Sequence, residues 1–420
     1  MKKLRLQVTL VIVKPKLRWL KLNFFILKFL GENFRLMFCG MKIQMVDLRG
    51  QYEKIRDEID TAVLECIRST AYINGPIVEE FSKNLAEYLS VKHVIPCANG
   101  TDALQIALMA LNLKEDDEVI VPAFTFIATA EVVALLKLKP VMVDVDPDTF
   151  NVTRETIEPA ITSRTKAIIP VHLFGQSCDM QPIMQIAEEY GLYVIEDNAQ
   201  SIGAEYIFPD NKRKKTGTIG HIGTTSFFPS KNLGCFGDGG AIFTNDDDLA
   251  EKMRMIANHG QSKRYYHDYI GINSRLDSIQ AAILNVKLKY LDQYSQARQK
   301  AANLYDELLS NVPHLKTPFR APYSTHVFHQ YTLQVTNGKR DELFDFLQSE
   351  GIPAMKYYPL PLNRQKAFKK FASPDLKLPI TERLCESVLS LPMHTELTEQ
   401  VQIKITDRIR EFLQIRDHVF

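Results

Sequence analysis

Between Val91 and Thr244 the chain alternates short, β-branched apolar runs with segments whose apolar residues recur every three or four positions. That alternation restricts the fold more than any other feature of the sequence. The runs at Val91–Pro96, Glu118–Pro122, Pro140–Val145, Ala167–Val171, Leu192–Ile195, Thr224–Phe228 and Gly240–Thr244 read as strands. Helical spacing marks Thr101–Leu111 (Leu104, Ala107, Leu108, Leu111), Ala128–Leu136 and Met180–Tyr190 between them. Apolar strands separated by helices predict an α/β fold with a mostly parallel sheet of seven strands, covered on both faces. Ligands of such sheets sit beyond the carboxyl ends of the strands. Upstream, Ile55, Ile59, Val63 and Ile67 predict one amphipathic helix, Ile73-Asn74-Gly75-Pro76 a turn, and Val78–Leu89 a further helix. After about residue 276 the pattern changes to one long helix over Ser278–Leu308, a half-buried strand over Val327–Val335, and helices over Lys339–Glu350 and Glu399–Gln414. The expected organisation is a large domain over 41–285 and a smaller α+β domain over 286–420.

Residues 1–40 differ from the rest. They hold nine of the 51 Lys/Arg and one of the 50 Asp/Glu, so residues 41–420 carry a net charge of −7. The body of the chain thus lacks the basic footprint of a nucleic-acid-binding protein. The basic, apolar start contains the single tryptophan, Trp19, but no uncharged stretch of spanning length and no small-residue cleavage site. The preferred expectation is that it lies outside the folded protein, with Met41 or Met45 as the natural start. An interfacial anchor is the alternative, and membrane association is expected only in that case. Six scattered cysteines, at 39, 66, 97, 178, 235 and 385, form no CxxC and no metal-ligand spacing. They point to a reducing, cytoplasmic setting and to no metal site.

Four segments carry candidate chemistry. In Ser226-Phe-Phe-Pro-Ser-Lys231-Asn-Leu-Gly-Cys-Phe-Gly-Asp-Gly-Gly240 a lysine leaves a strand and enters a run with four glycines, which allow close backbone approach to a ligand. A desolvated lysine there can form a Schiff base, and an ordinary surface lysine fits the same segment equally well. Leu192-Tyr-Val-Ile-Glu-Asp197-Asn-Ala-Gln200 places an acid at the end of an apolar strand, where it can face a protonated pyridine nitrogen, cap a helix or bind a metal. Asn99-Gly100-Thr101-Asp102 opens a helix and supplies either a phosphate site or a simple cap. Phe126, after the strand ending at Pro122, stacks on a flat ring or fills core. His172 and His221 lack metal-ligand company and read as architectural residues.

Taken together, in the order helix opening, aromatic, acid, and lysine 34 residues after the acid, these segments resemble the DegT/StrS type of sugar-nucleotide aminotransferases, of pyridoxal-5'-phosphate (PLP) fold type I. The likeness is most specific in Asn99–Leu104, Pro122–Ala130, Pro170–Met180, Glu196–Gly203, Ser226–Gly240, Gly271–Leu284 and Leu389–Thr398. It implies that Lys231 holds PLP and shuttles the proton, Asp197 pairs with the pyridine nitrogen, Gln200 bonds the phenolic oxygen and Phe126 stacks on the ring. It further implies that Gly100, Thr101 and Ser226 hold the phosphate, with Asn273 reaching the phosphate of a neighbouring subunit in a homodimer. Lys356, Tyr357 and Tyr358 would line the sugar-nucleotide pocket, with Arg275 nearby. The implied reaction moves an amino group from L-glutamate to a UDP-linked keto sugar. The stretches MVDLRGQYEKIRDEID and MKYYPLPLNRQKAF are similar to enzymes that aminate C3 of UDP-2-acetamido-2-deoxy-3-keto-glucuronic acid for O-antigen or capsule. Amination at C4 of a UDP- or dTDP-sugar is the alternative, and a PLP-binding regulatory protein without turnover is a rival of another class. PMP-dependent dehydratases in which the lysine is replaced are disfavoured by Lys231. Two departures stand out: Asn363 or Tyr357 occurs where many relatives carry histidine, and residues 1–40 have no counterpart.

Overall fold

The seven apolar runs form a single sheet. In the computed structural model, which describes residues 43–371 and 376–416, the strands are β1 (His93–Cys97), β2 (Glu118–Pro122), β3 (Lys139–Val143), β4 (Thr165–Ile168), β5 (Tyr193–Asp197), β6 (Ile222–Ser226) and β7 (Gly240–Thr244). Their spatial order is β1-β7-β6-β5-β4-β2-β3. β3, β2, β4, β5 and β6 run parallel, and β7 is antiparallel to both of its neighbours. The expectations for residues 1–40 fall outside the described residues. Among the described residues no helix is long and apolar enough to cross a membrane, and no cluster of metal-ligating side chains occurs.

The two faces of the sheet follow from strand alternation. In β2, Val119 and Val121 enter one core with Leu104, Ala107 and Leu108 of α4 (Gly100–Ala110) and Val132 and Val133 of α5 (Ala128–Leu135). Ile120 points the other way, into a core with Ile183 and Ile186 of α6 (Met180–Tyr190). Both faces are covered, so β2 is buried along its whole length. Each fully buried Val or Ile contributes about 1.5–3 kcal/mol. The parallel direction brings the carboxyl ends of β2, β4, β5 and β6 to one edge, and the site lies there.

The helix expected over Ile55–Ile67 is present as Arg56–Ser69, and Ile55 (φ −125°, ψ 19°) separates it from a preceding helix, Leu48–Lys54. Three expectations change. The run Ala167–Val171 is a strand only over Thr165–Ile168. Pro170 has no N–H to continue the ladder, and Val171 pairs singly with Asp197. The long helix over Ser278–Leu308 divides into α7 (Ser278–Leu288) and α8 (Leu291–Leu308), because the N–H groups of Lys289 and Tyr290 turn back to Val286 and Lys287, three residues earlier. The break lets α7, buried along nearly all its length, pack on Arg56–Ser69 and Pro76–Leu89, while α8 packs on α9 (Glu399–Arg416). The strand over Val327–Val335 is regular only over Tyr331–Val335. Before it, Phe328 takes a left-handed conformation (φ 45°) and the Val327 N–H reaches the Gly175 carbonyl. Tyr331–Val335 is the middle strand of a three-stranded antiparallel sheet with Leu315–Lys316 and Val388–Leu391.

Five cysteines, Cys66, Cys97, Cys178, Cys235 and Cys385, are buried free thiols.

Candidate active site

Asp197 closes β5, and the strands around it fix its carboxylate. Its backbone N–H donates to Pro170 O at 2.9 Å, and its carbonyl accepts from His172 N at 3.1 Å. The Thr129 hydroxyl donates to Oδ2 at 2.9 Å, and the Ala199 N–H donates to Oδ1 at 3.2 Å. One residue earlier the side chain faces the opposite side of the sheet, and Glu196 is fully buried there. It accepts from the N–H groups of Gly217, Ile219 and Gly220 at 2.8, 2.6 and 2.6 Å and lies 2.8 Å from His172 Nε2. His172 Nδ1 accepts from Cys178 N at 3.0 Å, so the imidazole proton sits on Nε2 and is donated to Glu196. Burial alone pushes the Glu196 carboxyl up, but His172 and these backbone donors outweigh it and hold the group below its ordinary range. The Glu196–His172 pair thus braces the strand end that presents Asp197. His221 stands elsewhere, with Nδ1 accepting from Val194 N at 2.9 Å, and does not line the cavity at Lys231.

Lys231 sits in the loop between β6 and β7. The loop is cinched by Lys231 N to Phe228 O at 2.8 Å, Cys235 N to Phe227 O at 2.8 Å and Phe227 N to Gly239 O at 2.7 Å. Burial lowers the Lys231 ammonium to about 8, against the opposing pull of Asp197. A neutral amine is therefore accessible near neutral pH. In the cofactor-free protein, modification of Lys231 by an amine-directed acylating reagent is expected to rise about tenfold per pH unit and level off above pH 8. Surface lysines keep rising past pH 10. Peptide mass spectrometry across a pH series checks this, and a rate at Lys231 that climbs in parallel with surface lysines would contradict it.

Across the cavity, α4 begins at Gly100, and the Asn99 side chain caps it by accepting from Asp102 N at 2.8 Å. The first-turn N–H groups leave the helix end without intrahelical partners, the arrangement that binds anions. Gly100 is required by packing, since a Cβ there would stand 2.7 Å from Ser226 Cβ. The same crowding explains Gly240, whose Cβ would stand 2.4 Å from Asn99 O. Gly100→Ala is expected to destabilise the protein by about 1–3 kcal/mol and to weaken an anion held between α4 and Ser226. A thermal melt with and without added phosphate-bearing cofactor measures both.

These parts enclose a cavity of about 870 Å³. Gly100, Thr101, Phe126, Asp197, Gln200, Ser226 and Lys231 all line it, and so do Lys356, Tyr357 and Tyr358. Phe126 is 54% exposed where it lines this cavity. Lys356 Nζ is committed to Asp341 Oδ1 at 2.5 Å. Asn273 and Arg275 do not line the cavity of this chain. They lie on the segment leading into α7, where Asn273 is exposed and bridges Asn258. Three contributors escaped the sequence reading. Thr129 is fixed on Asp197 from 68 positions away, His329 enters from the second region of the chain, and Asp238 returns within the glycine run. The first two are brought in by tertiary pairing alone. Asp238 belongs to the same glycine-rich segment as Lys231, so its proximity was legible in the sequence.

Residues 53–410 match the model of the DegT/DnrJ/EryC1/StrS aminotransferase family. The chain belongs to this family. Among curated relatives, the UDP-2-acetamido-2-deoxy-3-oxo-D-glucuronate aminotransferase of Pseudomonas aeruginosa is 48% identical over 86% of this chain and 98% of its own. A protein of Geobacillus stearothermophilus named pleiotropic regulatory protein is 47% identical over 89% and 99%. Among solved structures, NtdA of Bacillus subtilis, determined with bound cofactor PMP, is 34% identical with a TM-score of 0.78, covering 86% of this aminotransferase and 82% of that chain.

Proposed function

We propose that this aminotransferase moves an amino group from L-glutamate to C3 of UDP-2-acetamido-2-deoxy-3-keto-glucuronic acid, on PLP. One observation carries the reading: a single cavity joins a desolvated lysine, a fixed strand-end carboxylate and a helix N-terminus beside Ser226. The residues present fit PLP. Asp197 suits the pyridine nitrogen, Lys231 the aldehyde carbon, and Gly100, Thr101 and Ser226 the phosphate. The exposed face of Phe126 suits the ring, and Gln200 the phenolic oxygen. When bound, the cofactor supplies the electron sink that lets an amino group leave one carbon and join another.

The chain's own residues do the rest. Lys231 takes up and returns a proton at Nζ in each half of the reaction, which its lowered basicity favours near neutral pH. Asp197 would face the pyridine nitrogen, and Thr129 prevents its carboxylate from turning away. Tyr357, with the Lys356 stem, walls the sugar side. Asn273, exposed on this chain, is assigned to the phosphate of a neighbouring copy in a homodimer, and Arg275 to a substrate carboxylate in the same assembly. The C3 assignment leans on the 48% identity to the Pseudomonas aeruginosa enzyme. The product is assigned to O-antigen or capsule sugars, with the enzyme in the cytoplasm.

Mass spectrometry and NMR of products from paired UDP-3-keto-uronate and 4-keto-sugar substrates test the assignment. Amination of the 3-keto substrate at C3 supports it, and amination of only the 4-keto sugar overturns the position. The Geobacillus relative's name favours a second reading, a regulatory protein that binds PLP without turnover. Product formation with neither substrate class would favour that reading.

A further inference from the structure

Donor-and-acceptor accounting around Gln200 assigns a task to Tyr358. The Phe174 N–H is an obligatory donor, and it points at Gln200 Oε1 at 2.8 Å. Phe174 holds a left-handed conformation (φ 57°, ψ 6°), which aims that N–H at the amide. The carbonyl end of Gln200 is therefore fixed, and its NH₂ end faces the other way. There Nε2 donates to the Tyr358 hydroxyl at 3.2 Å. The amide has one further N–H. Tyr358 Oη accepts from Gln200, so its own proton points elsewhere, and no acceptor for it occurs among the described residues. Both groups line the cavity that holds Lys231 and Asp197. The tyrosine ring is braced by Phe124 and Phe126, at centroid distances of 6.1 and 6.4 Å.

Two unspent donors thus stand side by side on one wall, one from each region of the chain. We propose that the second Nε2–H of Gln200 and the O–H of Tyr358 form a two-donor cradle for one anionic oxygen, the phenolic oxygen of the bound cofactor. Tyr358 is then a cofactor ligand rather than part of the sugar wall. This rests on the PLP reading above. Burial, with Asp197 adding to it, raises the Tyr358 phenol far above its ordinary value, so the proton stays on Oη and the group acts as a donor rather than a base. Asp197 and Tyr357 are the titratable groups that act directly on this hydroxyl. Lys231, His329, Lys356 and the carboxylates of Asp102 and Asp238 share the cavity, and all are unchanged by a substitution at Tyr358.

A donor to the phenolate stabilises the charged oxygen, which disfavours protonation next to it. Removing the donor must raise the pH midpoint at which the bound cofactor's visible absorbance changes. The test is a spectrophotometric pH titration of substrate-free holoenzyme, wild type against Tyr358→Phe, which keeps the ring and deletes the hydroxyl. The midpoint is expected to rise by about one unit, and cofactor dissociation to quicken. Gln200→Met, which removes the partner donor, is expected to shift the midpoint in the same direction. An unchanged or lowered midpoint in Tyr358→Phe, with only the KM for the keto sugar raised, would return the hydroxyl to the substrate and overturn the proposal. A wild-type protein with no visible cofactor band would overturn the PLP reading itself.

Discussion

Lys231→Ala is expected to lower turnover by at least about 10³-fold while leaving the fold intact. The expectation rests on position and charge together. Burial lowers the Lys231 amine toward neutrality, to about 8, and Lys356, which also lines the cavity, is tied to Asp341. Among the described residues that line the cavity, no other amine is placed to take over the proton at Nζ. The loop should survive the substitution, because its cinching bonds run through backbone atoms of Phe227, Phe228, Lys231, Cys235 and Gly239. Single-turnover and steady-state rates, with a thermal melt as control, measure the effect. A variant that transaminates at near wild-type rate would remove Lys231 from the chemistry.

Asp197→Asn is expected to cost less, yet still heavily. The amide keeps the volume and can still bond Thr129 and Ala199, so the melting temperature should change little. On the proposed placement, what disappears is the carboxylate that would face the ring nitrogen. Breaking a buried charge pair costs about 3–5 kcal/mol, and at about 1.4 kcal/mol per decade that predicts a loss in kcat of about 10²- to 4 × 10³-fold. The KM for L-glutamate should move far less, since on that placement the carboxylate would meet the cofactor rather than the amino donor. A large rise in KM with kcat preserved would show that Asp197 serves substrate binding.

Much of this was legible from local pattern. The apolar runs of Glu118–Pro122 and Gly240–Thr244 are strands at the expected bounds, because fully buried strands need continuous apolar sequence. Parallel order follows from the intervening helices, and the candidate residues cluster because parallel strands end at one edge. What stayed hidden depends on partners distant in sequence. Nothing near Thr129 announces its bond to Asp197, and nothing near Tyr358 announces Gln200, 158 positions earlier. The break after Leu288 was invisible because Lys287, Lys289 and Tyr290 are all compatible with helix. It becomes visible only when α7 and α8 take different packing partners. The strand over Val327–Val335 was overextended for a similar reason: apolar alternation continues through Val327 while Gly175 captures that residue's N–H.

Transamination in the cavity around Lys231 and Asp197 is tested most directly by the visible spectrum of purified full-length protein, recorded before and after L-glutamate is added. A cofactor band is expected that bleaches as one equivalent of 2-oxoglutarate appears, and that returns when a UDP-3-keto-uronate is supplied. A bound cofactor whose spectrum neither L-glutamate nor any keto sugar nucleotide alters would contradict it.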